Sequence, residues 1–254
     1  MIFDTHVHTN FSSDSTMLLE EALAVAQKMK IGIITTEHMD LNYPDKSKFN
    51  FDIQKYFTTY QKYKSNNFLL GIEIGMAKSC IEKNATVAKA AEFDYILGSI
   101  HTVDDIDIYY EVFYRNKTKQ EAYEAYFKTM LDCIDTHPYI NSLGHIDYIA
   151  RYAKYEDTEI YYQDFLELID ELLKKIIRKN IALELNTRRF NNKNAIENLL
   201  VVYKRYHELG GEIVTLGSDA HRYTDIGNSF SLAIEFIKEC KLDIVYFKNQ
   251  KIHY

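Results

Sequence analysis

Residues 2–8 read Ile-Phe-Asp-Thr-His-Val-His, and residues 213–221 read Ile-Val-Thr-Leu-Gly-Ser-Asp-Ala-His. Each is a short run with strand character that closes on imidazole or carboxylate. Similar runs, rich in Ile, Val, Leu or Tyr, occupy 31–37, 68–74, 95–101, 141–145 and 181–186. Their length and composition predict strands. Between them the apolar period lengthens. Phe165, Leu166, Ile169, Leu172, Leu173, Ile176 and Ile177 share one helical face, as do Ala122, Ala125, Tyr126, Thr129, Met130, Cys133 and Ile134. Residues 17–30, 195–209 and 228–239 read as further helices. Strand and helix alternate about seven times, which argues for a parallel sheet covered by helices. No G-x-G-x-x-G turn follows the first strand, so a dinucleotide fold is disfavoured. The expected fold is α/β, a TIM-like β/α barrel in one domain spanning residues 1–254, with no linker or repeat.

In such a barrel the strand C-termini form one rim, and active sites lie there. The predicted strands end in His6-Val7-His8, Thr36-Glu37-His38, Gly71-Ile72-Glu73, Gly98-Ser99-Ile100-His101, Gly144-His145-Ile146-Asp147 and Gly217-Ser218-Asp219-Ala220-His221. Residues i and i+2 of a strand point to one side, so His6 and His8 can share an ion. Asp219 and His221 can do the same if strand geometry continues through them. Imidazole with carboxylate suits Zn, Mn or Fe. The set exceeds the roughly four ligands of a single zinc, so two or three divalent ions are expected, with Glu73 as the natural bridge. His137, His207 and His253 lie outside this pattern and read as surface or loop residues.

The formal charge of −7, with no basic block, disfavours nucleic acid as a partner. No apolar stretch is long enough to span a membrane. The N-terminal MIFDTHVHTN lacks the features of a signal peptide. Three scattered cysteines, Cys80, Cys133 and Cys240, read as free thiols in a reducing compartment, so a cytoplasmic location is expected.

The ordered set H-x-H, T-x-H, a lone Glu, G-S-I-H, G-H-x-D and S-D-A-H resembles the polymerase and histidinol phosphatase (PHP) superfamily over nearly the whole chain. The resemblance implies a distorted (β/α)7 barrel with a trinuclear metal site. It would place His6, His8, Glu73 and Asp219 on one ion, and Glu73, His101 and His145 on a second. His38 and His221 would hold the third with Asp14, where the family often has His. Within the superfamily the chain is most similar to the histidinol-phosphate phosphatase branch, also through Glu184-Leu185-Asn186-Thr187, Asp225-Ile226-Gly227 and Val245-Tyr246-Phe247-Lys248.

That similarity implies hydrolysis of a small phosphate monoester, L-histidinol phosphate, in histidine biosynthesis. A hydroxide bridging the ions joined by Glu73 would attack phosphorus. Asp14, Glu73 and Asp219 are then the catalytic carboxylates. Arg151 and Arg188 fall where that branch binds phosphate, although Arg189 competes with Arg188 for the role. Asp14, Asp147 or a metal-bound water could protonate the leaving alcohol. Segments 40–51 and 102–114, with Asp104, Asp105, Asp107, Tyr109, Tyr110, Glu111 and Tyr114, could form an acidic, aromatic lid for a cationic substrate. The competing functions are a protein-tyrosine phosphatase, a nuclease, an amidohydrolase and a degenerate barrel that only binds.

Overall fold

The computed structural model describes residues 1–254. Parallel strands β1 (Phe3–Val7), β2 (Gly32–Met39), β3 (Phe68–Gly75), β4 (Tyr95–Ser99), β5 (Ser142–Leu143), β6 (Ala182–Asn186) and β7 (Ile213–Gly217) lie side by side in chain order. All seven anticipated strands are present. A short eighth strand that the sequence pattern does not announce, β8 (Asp243–Ile244), pairs with the start of β7. β4 and β5 stop short of His101 and His145, so those imidazoles sit just past the strand ends.

The sheet curls until its first and last long strands meet at the rim. Val7 and Ala220 form a parallel bridge. His8 N–H donates to the Ala220 carbonyl at 2.8 Å, and Ala220 N–H donates to the His6 carbonyl at 3.2 Å. Asp4 reinforces this closure by accepting from Ser218 N at 2.9 Å, Ser218 Oγ at 2.5 Å and Gly227 N at 2.9 Å. Burial nevertheless pushes the Asp4 carboxyl up to about 6. β7 therefore carries β8 at its start and β1 just beyond its end. The closing bonds fall where the histidines are.

Period-two alternation sets what the barrel contains. Ile34, Leu69, Tyr95, Leu97 and Ala182 pack with Phe3, Val245 and Phe247 as a separate buried cluster at the base. Two or four residues further along the same strands come His38, Glu73, Ser99 and Glu184. In β1 the pairing register shifts between Asp4 and Val7. Phe3 consequently joins the base cluster whereas Val7 joins the outer core, despite their equal parity. That irregularity turns His6 and His8 inward. A C-terminal hairpin seals the base: Phe247 stacks on Tyr95 and Tyr246 on Phe3.

Helices α1 (Leu19–Met29), α2 (Ile53–Tyr60), α3 (Ile81–Ala88), α4 (Lys119–Thr136), α5 (Leu166–Arg178), α6 (Lys193–Glu208) and α7 (Phe230–Glu239) cover the sheet. α4 opens with a capping box in which Thr118 and Glu121 satisfy each other's backbone N–H groups. α1 starts two residues later than the 17–30 pattern predicts and stops at Met29, because Lys30 takes a left-handed backbone (φ +59°). The face of α5 read from its period is buried through Ile169, Leu172, Leu173 and Ile176. No helix is long and apolar enough to cross a membrane.

Arg205 on α6 clamps Asp170 on α5, with Nε to Oδ1 at 2.9 Å and Nη2 to Oδ2 at 2.6 Å. The guanidinium holds the Asp170 carboxyl below the usual carboxylate range, against the opposing effect of burial. A depressed folded-state pKa contributes stability above the unfolded pKa and loses it as pH falls through the folded one. Arg205→Met should therefore lower the urea midpoint at neutral pH. The deficit should hold steady down to about pH 5 and narrow only in stronger acid. A deficit that instead closed between neutral pH and about pH 5 would assign the stabilisation to another group.

Candidate active site

Glu73, fully buried at the end of β3, is the centre of the rim. Its Oε1 lies 3.2 Å from His145 Nε2, 3.4 Å from His101 Nε2 and 3.4 Å from His6 Nε2. Its Oε2 lies 2.7 Å from His38 Nδ1 and 3.6 Å from His8 Nε2. Asp219 Oδ1 stands 3.7 Å from His6 Nε2 and 3.6 Å from His8 Nε2. On the outer side, Asp14 Oδ2 lies 3.0 Å from His221 Nε2 and 3.5 Å from His38 Nε2. All nine residues read as ligands are thus brought together.

The donor set fits metal ions. His6 Nε2 and His8 Nε2, which face Glu73 and Asp219, are buried without a hydrogen-bond partner, an arrangement that is costly unless something else occupies the lone pairs. Ligand atoms converge within 4.8 Å of one another in the groups His6–His8–Glu73, Glu73–His101–His145 and His8–His38–His221, and also in His6–His145–Asp219 and His38–Asp40–His101. The groups overlap through Glu73, His8 and His38, as expected of neighbouring ions that share ligands.

Charge is balanced inside the cluster. Burial alone would push the His6 imidazole down, but Glu184, Glu73 and Asp219 raise it well above its ordinary value. Burial together with the nearby His38 and His221 drives His8 well below its ordinary value. Burial opposes ionisation of Glu73 and Asp219, yet His6 and the other surrounding cationic groups hold both carboxyls well below the ordinary range.

Strand geometry does not persist through Asp219 and His221. β7 ends at Gly217, and Asp219 adopts a left-handed backbone (φ +56°), a conformation costly for most residues but tolerated by Asp. The turn sends Asp219 toward His6 and His8 and His221 toward Asp14 and His38, so the two serve different parts of the cluster. Gly217 has no substitute here, because a Cβ would strike the Glu184 carboxylate and the His6 Cβ.

An outer layer of oxygen atoms orients the imidazoles, and the motif reading missed most of it. Glu184 Oε1 lies 2.6 Å from His6 Nδ1, and its Oε2 accepts from His145 N–H at 2.7 Å. Asp40 Oδ1 lies 2.8 Å from His101 Nδ1. Such partners fix the ring and its tautomer. The signal for Asp40 was its place two residues after His38. Tyr126 and Tyr203 donate to the backbone carbonyls of His145 and Glu184, so two of the chain's 21 tyrosines support the site.

Beside the cluster opens a cavity of about 570 Å³. Arg151 lines it, with Nη1 on Asp219 Oδ2 at 2.5 Å and Nη2 on Asn186 Oδ1 at 2.7 Å. Arg188 also lines it, half-exposed, and donates to the Asp219 carbonyl at 2.9 Å. Arg189 does not reach the cavity. It is buried in an ion pair with Asp147 at 3.0 Å and Glu159 at 2.6 Å. Asp147, held by Arg189, likewise does not line the cavity. Burial raises the Asp14 carboxyl, but His221 and His38 pull it far below its usual range.

Of the proposed lid, Asp107, Tyr109 and Tyr110 line the cavity with Tyr43, Tyr148 and Tyr152. The hydroxyls of Tyr43 and Tyr110 meet at 2.9 Å across the two loops. Asp105 instead accepts from Ser79 and Asn42. Asp104 lies with it near Lys78 in a separate depression. Tyr114 is buried, and Glu111 begins a short helix. His137 is not a surface residue: it is fully buried, with Nδ1 against the Cys133 carbonyl and Nε2 against Asn84.

A parallel β/α barrel with linked imidazole–carboxylate groups and two arginines at its C-terminal rim defines the class of metal-dependent hydrolases acting on an anionic substrate. The PHP domain model matches residues 4–188, and the chain belongs to that family. It is 51% identical to the probable histidinol-phosphatase of Clostridium acetobutylicum over 100% of both chains. It is 32% identical to the histidinol-phosphatase of Lactococcus lactis over 86% of this chain and 83% of that one. The crystal structure of the Lactococcus lactis histidinol phosphate phosphatase, complexed with Zn, L-histidinol and phosphate, superposes with a TM-score of 0.92. That match covers 100% of this chain and 99% of the other at 29% identity.

Proposed function

We propose that this protein hydrolyses L-histidinol phosphate to L-histidinol and phosphate with two or three divalent metal ions, as a step of histidine biosynthesis. The observation that carries the reading is the join of overlapping ligand groups at Glu73 with an arginine-lined cavity of small-molecule size. His6, His8, Glu73 and Asp219 would hold one ion, Glu73, His101 and His145 a second, and His38, His221 and Asp14 a third. Bound there, such ions lower the pKa of water from about 15.7 toward 7 and neutralise charge on phosphoryl oxygens.

The chain's own residues supply orientation and charge. Arg151 and Arg188 place positive charge where the phosphoryl group gains negative charge in the transition state. Asp107 and the surrounding tyrosines form a wall suited to the ammonium and imidazole of the substrate. The Tyr43–Tyr110 contact narrows the mouth, which favours a small ester over a phosphotyrosine peptide. A nucleic-acid substrate is not part of the reading, and the working location is the cytoplasm.

Phosphate release should be measured from L-histidinol phosphate, a phosphotyrosine peptide and p-nitrophenyl phosphate, with Mn- and Zn-loaded protein. A kcat/KM on the order of 10⁴ M⁻¹s⁻¹ or more is expected for histidinol phosphate alone. Equal, weak turnover of all three would overturn the substrate assignment. Chelation should abolish turnover reversibly. It should also lower the melting temperature by on the order of 10 °C, because ions at about a thousand times their Kd contribute about 4 kcal/mol to the folded state. Full activity with no metal bound would remove the mechanism.

A further inference from the structure

Glu37 is fully buried at the end of β2, with its carboxylate against Thr9 and Ser12. No lysine or arginine pairs with it. Its carboxylate instead faces only hydrogen-bond donors. Thr9 N–H lies 3.1 Å from both oxygens, Thr9 Oγ1 donates to Oε1 at 2.5 Å, and Ser12 Oγ donates to Oε2 at 2.6 Å. Ser12 Oγ also accepts His38 N–H at 3.1 Å and lies 3.2 Å from His8 Nδ1.

A serine hydroxyl has one proton and two lone pairs. The proton goes to Glu37, so toward His38 N and His8 Nδ1 the oxygen can only accept. His8 must then carry its proton on Nδ1, and its Nε2 presents a free lone pair. That atom is buried and without a partner, beside Glu73 and Asp219. We infer that Glu37 is a positioning residue for metal binding: through Ser12 it fixes the tautomer that makes His8 a ligand. The inference rests on the metal-binding part of the proposed function and not on the substrate.

The test follows from proton direction. In Glu37→Leu no acceptor remains on that side of Ser12, and because His38 N–H can only donate, the Ser12 hydroxyl must turn its proton to His8 Nδ1. This leaves Nε2 protonated and unable to bind metal. Zinc affinity of the full chain, read by chelator competition, should fall about tenfold to a hundredfold in E37L, the range for loss of an outer-shell partner. In a Ser12→Ala background the proton reversal has no path. Adding E37L there should change affinity little, a non-additivity that a purely structural role would not produce.

Long-range ¹⁵N correlation spectra of the metal-free parent should show His8 protonated at Nδ1. This reading needs no variant to fold. Parental zinc affinity in E37L, an equal loss in both backgrounds, or a proton on His8 Nε2 in the parent would each overturn the inference. Failure to hydrolyse histidinol phosphate would leave these readouts untouched, so the two proposals fail separately.

Discussion

Replacing Glu73 with Gln is expected to lower kcat/KM for histidinol phosphate by about a thousandfold or more while the chain stays folded, since the loss corresponds to about 4 kcal/mol of transition-state stabilisation. The reason is geometric. One carboxylate lies within reach of His6, His101 and His145 through Oε1, and of His8 and His38 through Oε2. Ser99 Oγ donates to Oε1 at 2.7 Å and fixes its angle. An amide preserves the shape but has only one oxygen, so it cannot join two ions. Turnover should be read together with metal stoichiometry, which should fall by at least one ion per chain. E73Q that kept full metal content and activity within about tenfold of the parent would show that Glu73 is not the bridge.

Arg151→Ala should cost about a hundredfold to a thousandfold in kcat/KM, the scale seen when one charge-stabilising donor is removed from a transition state. The guanidinium is buried, its fork spans Asp219 and Asn186, and it lies over the Tyr148 ring with 5.4 Å to the centroid. Burial opposes its charge, but Asp219 and Asp147 raise its pKa further, so it remains cationic. Arg151→Lys should recover little, because a point charge cannot span both acceptors. Inhibition by inorganic phosphate should weaken in parallel, with metal content unchanged. If metal leaves with the guanidinium, Arg151 acts by holding Asp219 rather than by meeting substrate.

The ligands were legible because strand chemistry repeats locally. Histidine and carboxylate at the ends of alternating runs can be counted along the chain, and period-two alternation places His6 with His8 without any knowledge of the fold. The outer layer was less legible because its partners come from distant strands. Glu184 reaches His6 across 178 positions of sequence, and nothing near either residue announces the other. Asp147 shows the converse. It sits in a site-like motif, yet Arg189, which also pairs with Glu159, draws it into an ion pair away from the cavity. The same local ambiguity kept Arg188 and Arg189 apart only by where each side chain turns.

The sequence by itself determined the β/α alternation, the imidazole–carboxylate rim and its demand for more than one ion, since each follows from residue type and short-range period. Tertiary structure decided the rest. The register shift in β1 aims His6 and His8 inward. The left-handed turn at Asp219 divides it from His221. Glu37, read only as part of a strand end, gained a role because folding surrounds it with donors whose protons can run in one direction. Hydrogen-bond direction and charge pairing depend on atoms far apart in the chain, and only closure of the barrel brings those atoms into contact.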